Sequence, residues 1–75
     1  MDEKIFGKRL KEARLITGLC QQELANILGV NRASVCRLER SINMPALHTA
    51  VLMADALGVS LDWLTGRSDY ESKKA

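Results

Sequence analysis

Apolar residues along this chain recur every three or four positions, the helical pattern, in short segments broken at Gly18, Gly29, Pro45, Gly58 and Gly66. Phe6, Leu10 and Ala13 fall at i, i+4 and i+7, one stripe on a first helix that Asp2 can cap and that ends at Thr17-Gly18. A second helix runs from Gln21 to Leu28 and buries Leu24, Ala25 and Leu28. A third runs from Arg32 to about Arg40 and buries Val35 and Leu38, with Asn31 as an apt N-cap. A fourth, from about Leu47 to Leu57, shows Leu47, Ala50, Ala54 and Leu57, and Ser60 caps a short fifth helix, Leu61 to Leu64. Residues 67–75 are polar and charged and read as a frayed tail, so the expected domain is 1–66. The pattern contains no strand, repeat or low-complexity tract.

Helices this short are unstable alone and must lean on one another, which predicts an all-α, compact bundle of crossing helices. The link Leu28-Gly29-Val30-Asn31 is the informative one. A glycine ends one helix, an apolar residue is expected to plug the core, and an asparagine starts the next. Four residues leave room only for a sharp turn between two helices that cross steeply.

Composition narrows the class. Hydrophobic residues make up 47% of the 75, enough for one core, but Phe6, Tyr70 and Trp63 are the only aromatics, so that core is aliphatic. No apolar run reaches the roughly 18 residues of a membrane span. The start, Met1-Asp2-Glu3-Lys4, lacks the basic and apolar stretches of a signal peptide. A cytoplasmic protein with Cys20 and Cys36 as reduced thiols is expected, with no membrane partner. Two cysteines and one histidine do not make a structural zinc site, and no cofactor is implied. No nucleophile–base pair or paired-carboxylate spacing points to an enzyme. The net charge is only +2, but residues 1–45 carry eight Lys/Arg against five Asp/Glu, whereas residues 46–75 carry three against four. Basic charge gathers in the half that holds the sharp turn, which suits a polyanion as well as an ordinary mixed surface.

Gly18-Leu19-Cys20-Gln21-Gln22-Glu23-Leu24-Ala25, Leu28-Gly29-Val30-Asn31-Arg32, Leu38-Glu39-Arg40, Pro45 and Ala56-Leu57-Gly58-Val59-Ser60-Leu61-Asp62-Trp63-Leu64 stand in a fixed order along the chain. This series resembles the lambda-repressor/Cro type of helix-turn-helix domain over about residues 5 to 66. The resemblance implies a five-helix fold with the helix-turn-helix at helices 2 and 3. It also implies sequence-specific binding to double-stranded DNA, usually as a two-fold dimer on a partly palindromic operator.

On the third helix, Val35 and Leu38 point to the core and leave Arg32, Ala33, Cys36, Arg37 and Arg40 on the outer arc. A helix fits the major groove, and arginine can grip guanine O6 and N7 with two parallel hydrogen bonds. By similarity to the family, the base readers are Arg32, Ala33 and Arg37, the alanine methyl meeting a thymine methyl. Arg40, near the helix end, suits a phosphate, as do Asn31, Asn43 and Gln22. The family's counterpart of Gln21 holds the DNA backbone and braces the recognition helix. The counterparts of Arg14 and Glu39 pair between the first and third helices, and Arg14 is also in reach of a phosphate by this reading.

Several positions depart from the family pattern. Cys20 stands where Ser, Thr or Asn commonly caps the second helix, and a thiol is a weak acceptor, so the capping box with Glu23 is half made. Ser41 stands where a glycine usually ends the third helix in a left-handed turn. The loop Ser41-Ile42-Asn43-Met44 lacks the family's basic residues, which implies fewer phosphate contacts and a shallower salt dependence. Leu15, Ile16, Ile42, Met44 and Leu52 sit where relatives are often polar, either as scattered exposed residues or as a patch for a second subunit or another protein. Trp63 is expected in the core and His48 on the surface, and Cys36 is read as an inert thiol beside arginines. The expected function is a small regulator of phage or bacterial type, a repressor acting as a homodimer by occupancy and carrying no ligand-sensing domain of its own. The alternative is a protein-binding module of the same fold, such as an antitoxin with secondary DNA binding.

Overall fold

The computed structural model describes residues 3–69. Among these the elements are α1 (Glu3–Thr17), α2 (Gln21–Leu28), α3 (Arg32–Glu39), α4 (Leu47–Leu57) and α5 (Leu61–Leu64), with no strand. The cap expected from Asp2 lies outside the described residues. None of these helices is long and apolar enough to cross a membrane.

The core forms where the apolar stripes meet. Phe6 and Leu10 of α1, Leu24 of α2, Val35 of α3, Met53 of α4 and Leu64 of α5 are fully buried, and Trp63 is buried beside them. Each short helix is stabilised by this shared burial more than by its own hydrogen bonds. α3 packs on α2 and α1, while α1 also packs on α5 and α4. Leu47 departs from the expected stripe: it is 74% exposed, and Met53 takes the buried place on α4. Leu47 opens its helix ahead of the first residue, Ala50, that meets the core.

The turn between α2 and α3 closes on its backbone. Gly29 is left-handed at φ 72°, and the Val30 N–H donates to Ala25 O at 3.0 Å, satisfying carbonyls at the end of α2. Asn31 is extended, and its Oδ1 accepts from Ser34 N–H at 2.8 Å, so α3 starts on a side-chain cap. Val30 does not plug the core; it is 37% exposed. Its backbone does the work of the turn, and Leu24, Ala25 and Leu28 already fill the space beneath.

α3 ends in the same device built on a different residue. Ser41 adopts φ 60°, its N–H donates to Leu38 O, and the Ile42 N–H donates to Arg37 O at 2.9 Å. A left-handed residue is therefore needed at Ser41, where most side chains are strained. α1 crosses this terminus at Gly7. A Cβ on Gly7 would overlap Ser41 Oγ and would lie 2.7 Å from Glu39 O and 2.9 Å from Leu38 O. The absent side chain at Gly7 is what lets α1 touch the end of α3.

A second clasp joins α1 to the end of the described chain. Arg9 lies over the Trp63 ring, 5.1 Å from its centroid, and its Nη1 donates to Trp63 O and to Ser68 O at 2.6 and 2.8 Å. The Arg67 and Ser68 N–H groups both donate to Asp62 O. The first three residues of the expected tail are thus held against the bundle.

Candidate nucleic-acid interface

The outward side of α3 carries Arg32, Ala33 and Arg40 in the open, with Cys36 and Arg37 half-buried, and Val35 and Leu38 turned to the core. Helical spacing alone produces this division, because residues three and four apart share a face. The result is a short cationic ridge with its apolar back fixed to the bundle.

Arg37 and Arg32 on the ridge are held differently. Arg37 Nη2 donates to Ser34 Oγ at 3.3 Å, one turn earlier on α3. With the Asn43 amide oriented by its neighbours, its oxygen accepts from Arg37 Nε at 3.0 Å and its nitrogen donates to Ile42 O at 3.2 Å. Asn43 is thereby turned toward Arg37. Arg32 Nη1 donates to Gln21 Oε1 at 3.3 Å. Ala33 presents a bare methyl. Gln22, on the exposed start of α2, donates to Asn26 Oδ1 at 2.9 Å.

Behind the ridge, Arg14 and Glu39 form a two-point pair: Nε to Oε2 at 2.5 Å and Nη2 to Oε1 at 3.2 Å. Both side chains are almost wholly buried, at 8% and 3% exposure. Hydrogen bonding to Glu39 is the largest influence on Arg14 and raises its pKa further, so the guanidinium stays charged. Arg14 Nη1 donates to Leu19 O at 2.8 Å, and Gln21 Nε2 donates to Glu39 Oε1 at 3.1 Å. With these donors engaged and its side chain buried, Arg14 is part of the scaffold behind the ridge.

At the start of α2, the Cys20 N–H donates to Glu23 Oε1 at 2.9 Å. The thiol takes the capping-box position opposite the Glu23 N–H without making a full side-chain cap bond. The Cys20 N–H holds the Glu23 carboxyl below its ordinary pKa.

Reasoning from the sequence missed Gly7, Arg9 and the linkage of Gln21 to Arg32. Gly7 left one trace: a glycine inside an otherwise helical stretch costs about 1 kcal/mol and asks for a packing reason. Arg9 left none, since its partners are more than fifty residues away.

Residues 10–64 match the family profile described as helix-turn-helix. The chain belongs to the helix-turn-helix family. It is similar to the SPbeta prophage-derived uncharacterized HTH-type transcriptional regulator YonR of Bacillus subtilis, with 38% identity over 60 residues, 80% of this chain and 56% of that protein. The chain spans about half the length of several curated relatives it matches. Among solved structures, the restriction-modification controller protein C.AhdI from Aeromonas hydrophila is 35% identical with a TM-score of 0.76, covering 84% of this chain and 91% of that one. The master regulator for biofilm formation SinR, solved in complex with DNA, is 28% identical with a TM-score of 0.73, covering 80% of this chain and 97% of that one. In this helix-turn-helix domain, α2 and α3 are the two helices of the motif.

Proposed function

We propose that this chain is the DNA-reading domain of a small transcriptional regulator, a repressor that recognises duplex DNA through α3. The observation that carries the proposal is the ridge of Arg32, Arg37 and Arg40 on a helix whose other side and last turn are anchored in the bundle. Such a helix enters the major groove as a rigid body. Arg32 and Arg37 then meet guanine edges, the Ala33 methyl meets a thymine methyl, and Arg40, Asn31 and Gln22 lie where phosphates pass. The loop 41–45 brings no Lys or Arg to the DNA, which leaves specificity to the helix and weakens non-specific attraction. Binding as a homodimer sets two recognition helices about one helical turn apart on a partly palindromic operator, and occupancy alone blocks or assists polymerase. The relatives named as transcriptional regulators, and SinR in its DNA complex, support this reading.

A second reading draws on exposed Leu47, Ile16, Leu15, Ile42 and Leu52, which suit a protein-binding module. Selection of bound sequences from random duplexes at two salt concentrations separates them. The regulator reading predicts one enriched, partly palindromic motif retained at the higher salt. Retention of DNA with no enriched motif rejects it in favour of the protein-binding module.

A further inference from the structure

The chain leaving α3 folds back over one of that helix's own arginines. Ser41 turns left-handed at φ 60°, and the Ile42 N–H returns to Arg37 O at 2.9 Å. This closure sets the next residue, Asn43, beside the Arg37 side chain. The two neighbours of the Asn43 amide differ in character, since Arg37 Nε can only donate and Ile42 O can only accept. The amide therefore has one satisfying orientation, oxygen to Arg37 Nε at 3.0 Å and nitrogen to Ile42 O at 3.2 Å. The Ser34 hydroxyl is oriented in the same way. It gives its hydrogen to Asn31 Oδ1 at 2.9 Å and so meets Arg37 Nη2 as an acceptor, at 3.3 Å. Arg37 is thus held by two acceptors, one in the loop after α3 and one in the turn before it. Its Nε carries a single hydrogen, already engaged, so the terminal nitrogens are what the side chain offers to a base edge.

Resting on the reading of Arg37 as a base reader, we propose that Asn43 is a positioning residue for Arg37 and not a contact to the phosphate backbone. Its oxygen, kept in place by the left-handed Ser41 and the Ile42 carbonyl, restricts the guanidinium before DNA arrives. It thereby sharpens the preference at the base pair that Arg37 meets. The loop 41–45, which has no Lys or Arg, contributes to recognition through this contact instead of through charge. Arg32 is bonded to Gln21 instead, so its base pair serves as an internal control.

The test is selection from random duplexes with the unmodified protein, with Arg37→Ala, Asn43→Ala and Asn43→Asp, and with the two alanine substitutions combined. Arg37→Ala marks the base pair concerned by abolishing preference there. Asn43→Ala is expected to lower preference at that same base pair about threefold or more, leave the other positions unchanged, and add nothing in the Arg37→Ala background. Aspartate keeps an acceptor for Arg37 Nε but repels a phosphate. Asn43→Asp is therefore expected to weaken binding to all sequences while holding the preference at the Arg37 base pair. A uniform loss of affinity for Asn43→Ala, with every base preference intact, makes Asn43 a phosphate contact and overturns the inference. Lost preference at a different base pair makes Asn43 a reader in its own right and overturns it too, as does an unchanged profile. If Asn43→Asp loses the Arg37 preference as fully as Asn43→Ala, the acceptor is not what matters and the inference fails. If Arg37→Ala alters no base preference, the assignment of Arg37 as a reader falls, and this inference falls with it.

Discussion

At its last turn α3 is embedded: Glu39 is paired with Arg14 out of water, Ser41 closes a left-handed cap, and Gly7 of α1 lies against the carbonyls of Leu38 and Glu39. At its first turn α3 stands in the open, with Asn31 capping it and Arg32 reached by one exposed hydrogen bond. The two ends of one eight-residue helix thus divide the labour. Burial makes a charge pair costly to break, so the far end fixes the position of the helix. Exposure makes side chains cheap to change, so the near end is where sequence preference can vary. The Gln21 amide is the hydrogen-bonded link between them.

If this division is right, substitutions at the embedded end change stability and those on the ridge change recognition. Glu39→Ala is expected to have the largest effect, about 3–5 kcal/mol of stability, since it strands the Arg14 charge in the interior. That approaches the whole stability available to a domain of this size. Urea denaturation checks it, and a loss under about 1 kcal/mol would mean that water reaches the pair. Gly7→Ala comes next, at about 1–3 kcal/mol or more, because its Cβ has no room against backbone that cannot move. Its melting temperature should fall well below that of a matched alanine substitution at exposed Lys8.

On the ridge, Arg37→Ala should leave the melting temperature nearly unchanged while removing about 1–3 kcal/mol of discrimination at one base pair. Binding to duplexes varied at single positions measures this, and an unchanged preference at every position would sever Arg37 from readout. The smallest effect belongs to the start of α2. Cys20→Ser puts a hydroxyl in place of the thiol, a weak acceptor, at the capping position and should stabilise the fold by up to about 1 kcal/mol, seen as a higher melting temperature. The Glu23 carboxyl is held below its unfolded pKa by the Cys20 N–H, so its contribution is present above the unfolded value and is lost as pH falls through the folded one. Glu23→Gln should therefore flatten the decline in stability on the acid side, and an unaltered acid limb would argue against the box.

The helices were legible because their signals are local: a 3.6-residue stripe, a cap at Asn31 and at Ser60, and a glycine after each helix except α3. Ser41 was legible in reverse, as the position where a glycine is usual and where the chain is indeed left-handed. Local signals misjudged Val30 and Leu47, because an apolar residue at the right spacing is buried only if the partner helix extends over it. What stayed hidden were contacts that join distant segments. Gly7 with Ser41, Arg9 with Trp63 and Ser68, and Gln21 with both ends of α3 depend on how the helices are set against one another, and one-dimensional spacing does not encode that. The same limit explains Arg14: as a cation near the motif it suggested a phosphate, and only the packing of α1 on α3 shows its donors turned inward.

The claim on which the rest depends is that the α3 ridge is the surface that meets DNA. Backbone amide shifts of the isotope-labelled protein, followed by nuclear magnetic resonance while a selected duplex and then a scrambled one are added, test it most directly. The account predicts large, sequence-dependent shifts at the start of α2 and through residues 31–43, and little change in the loop between α4 and α5. Shifts centred instead on α4 around Leu47, Val51 and Leu52, or identical shifts with both duplexes, would contradict it.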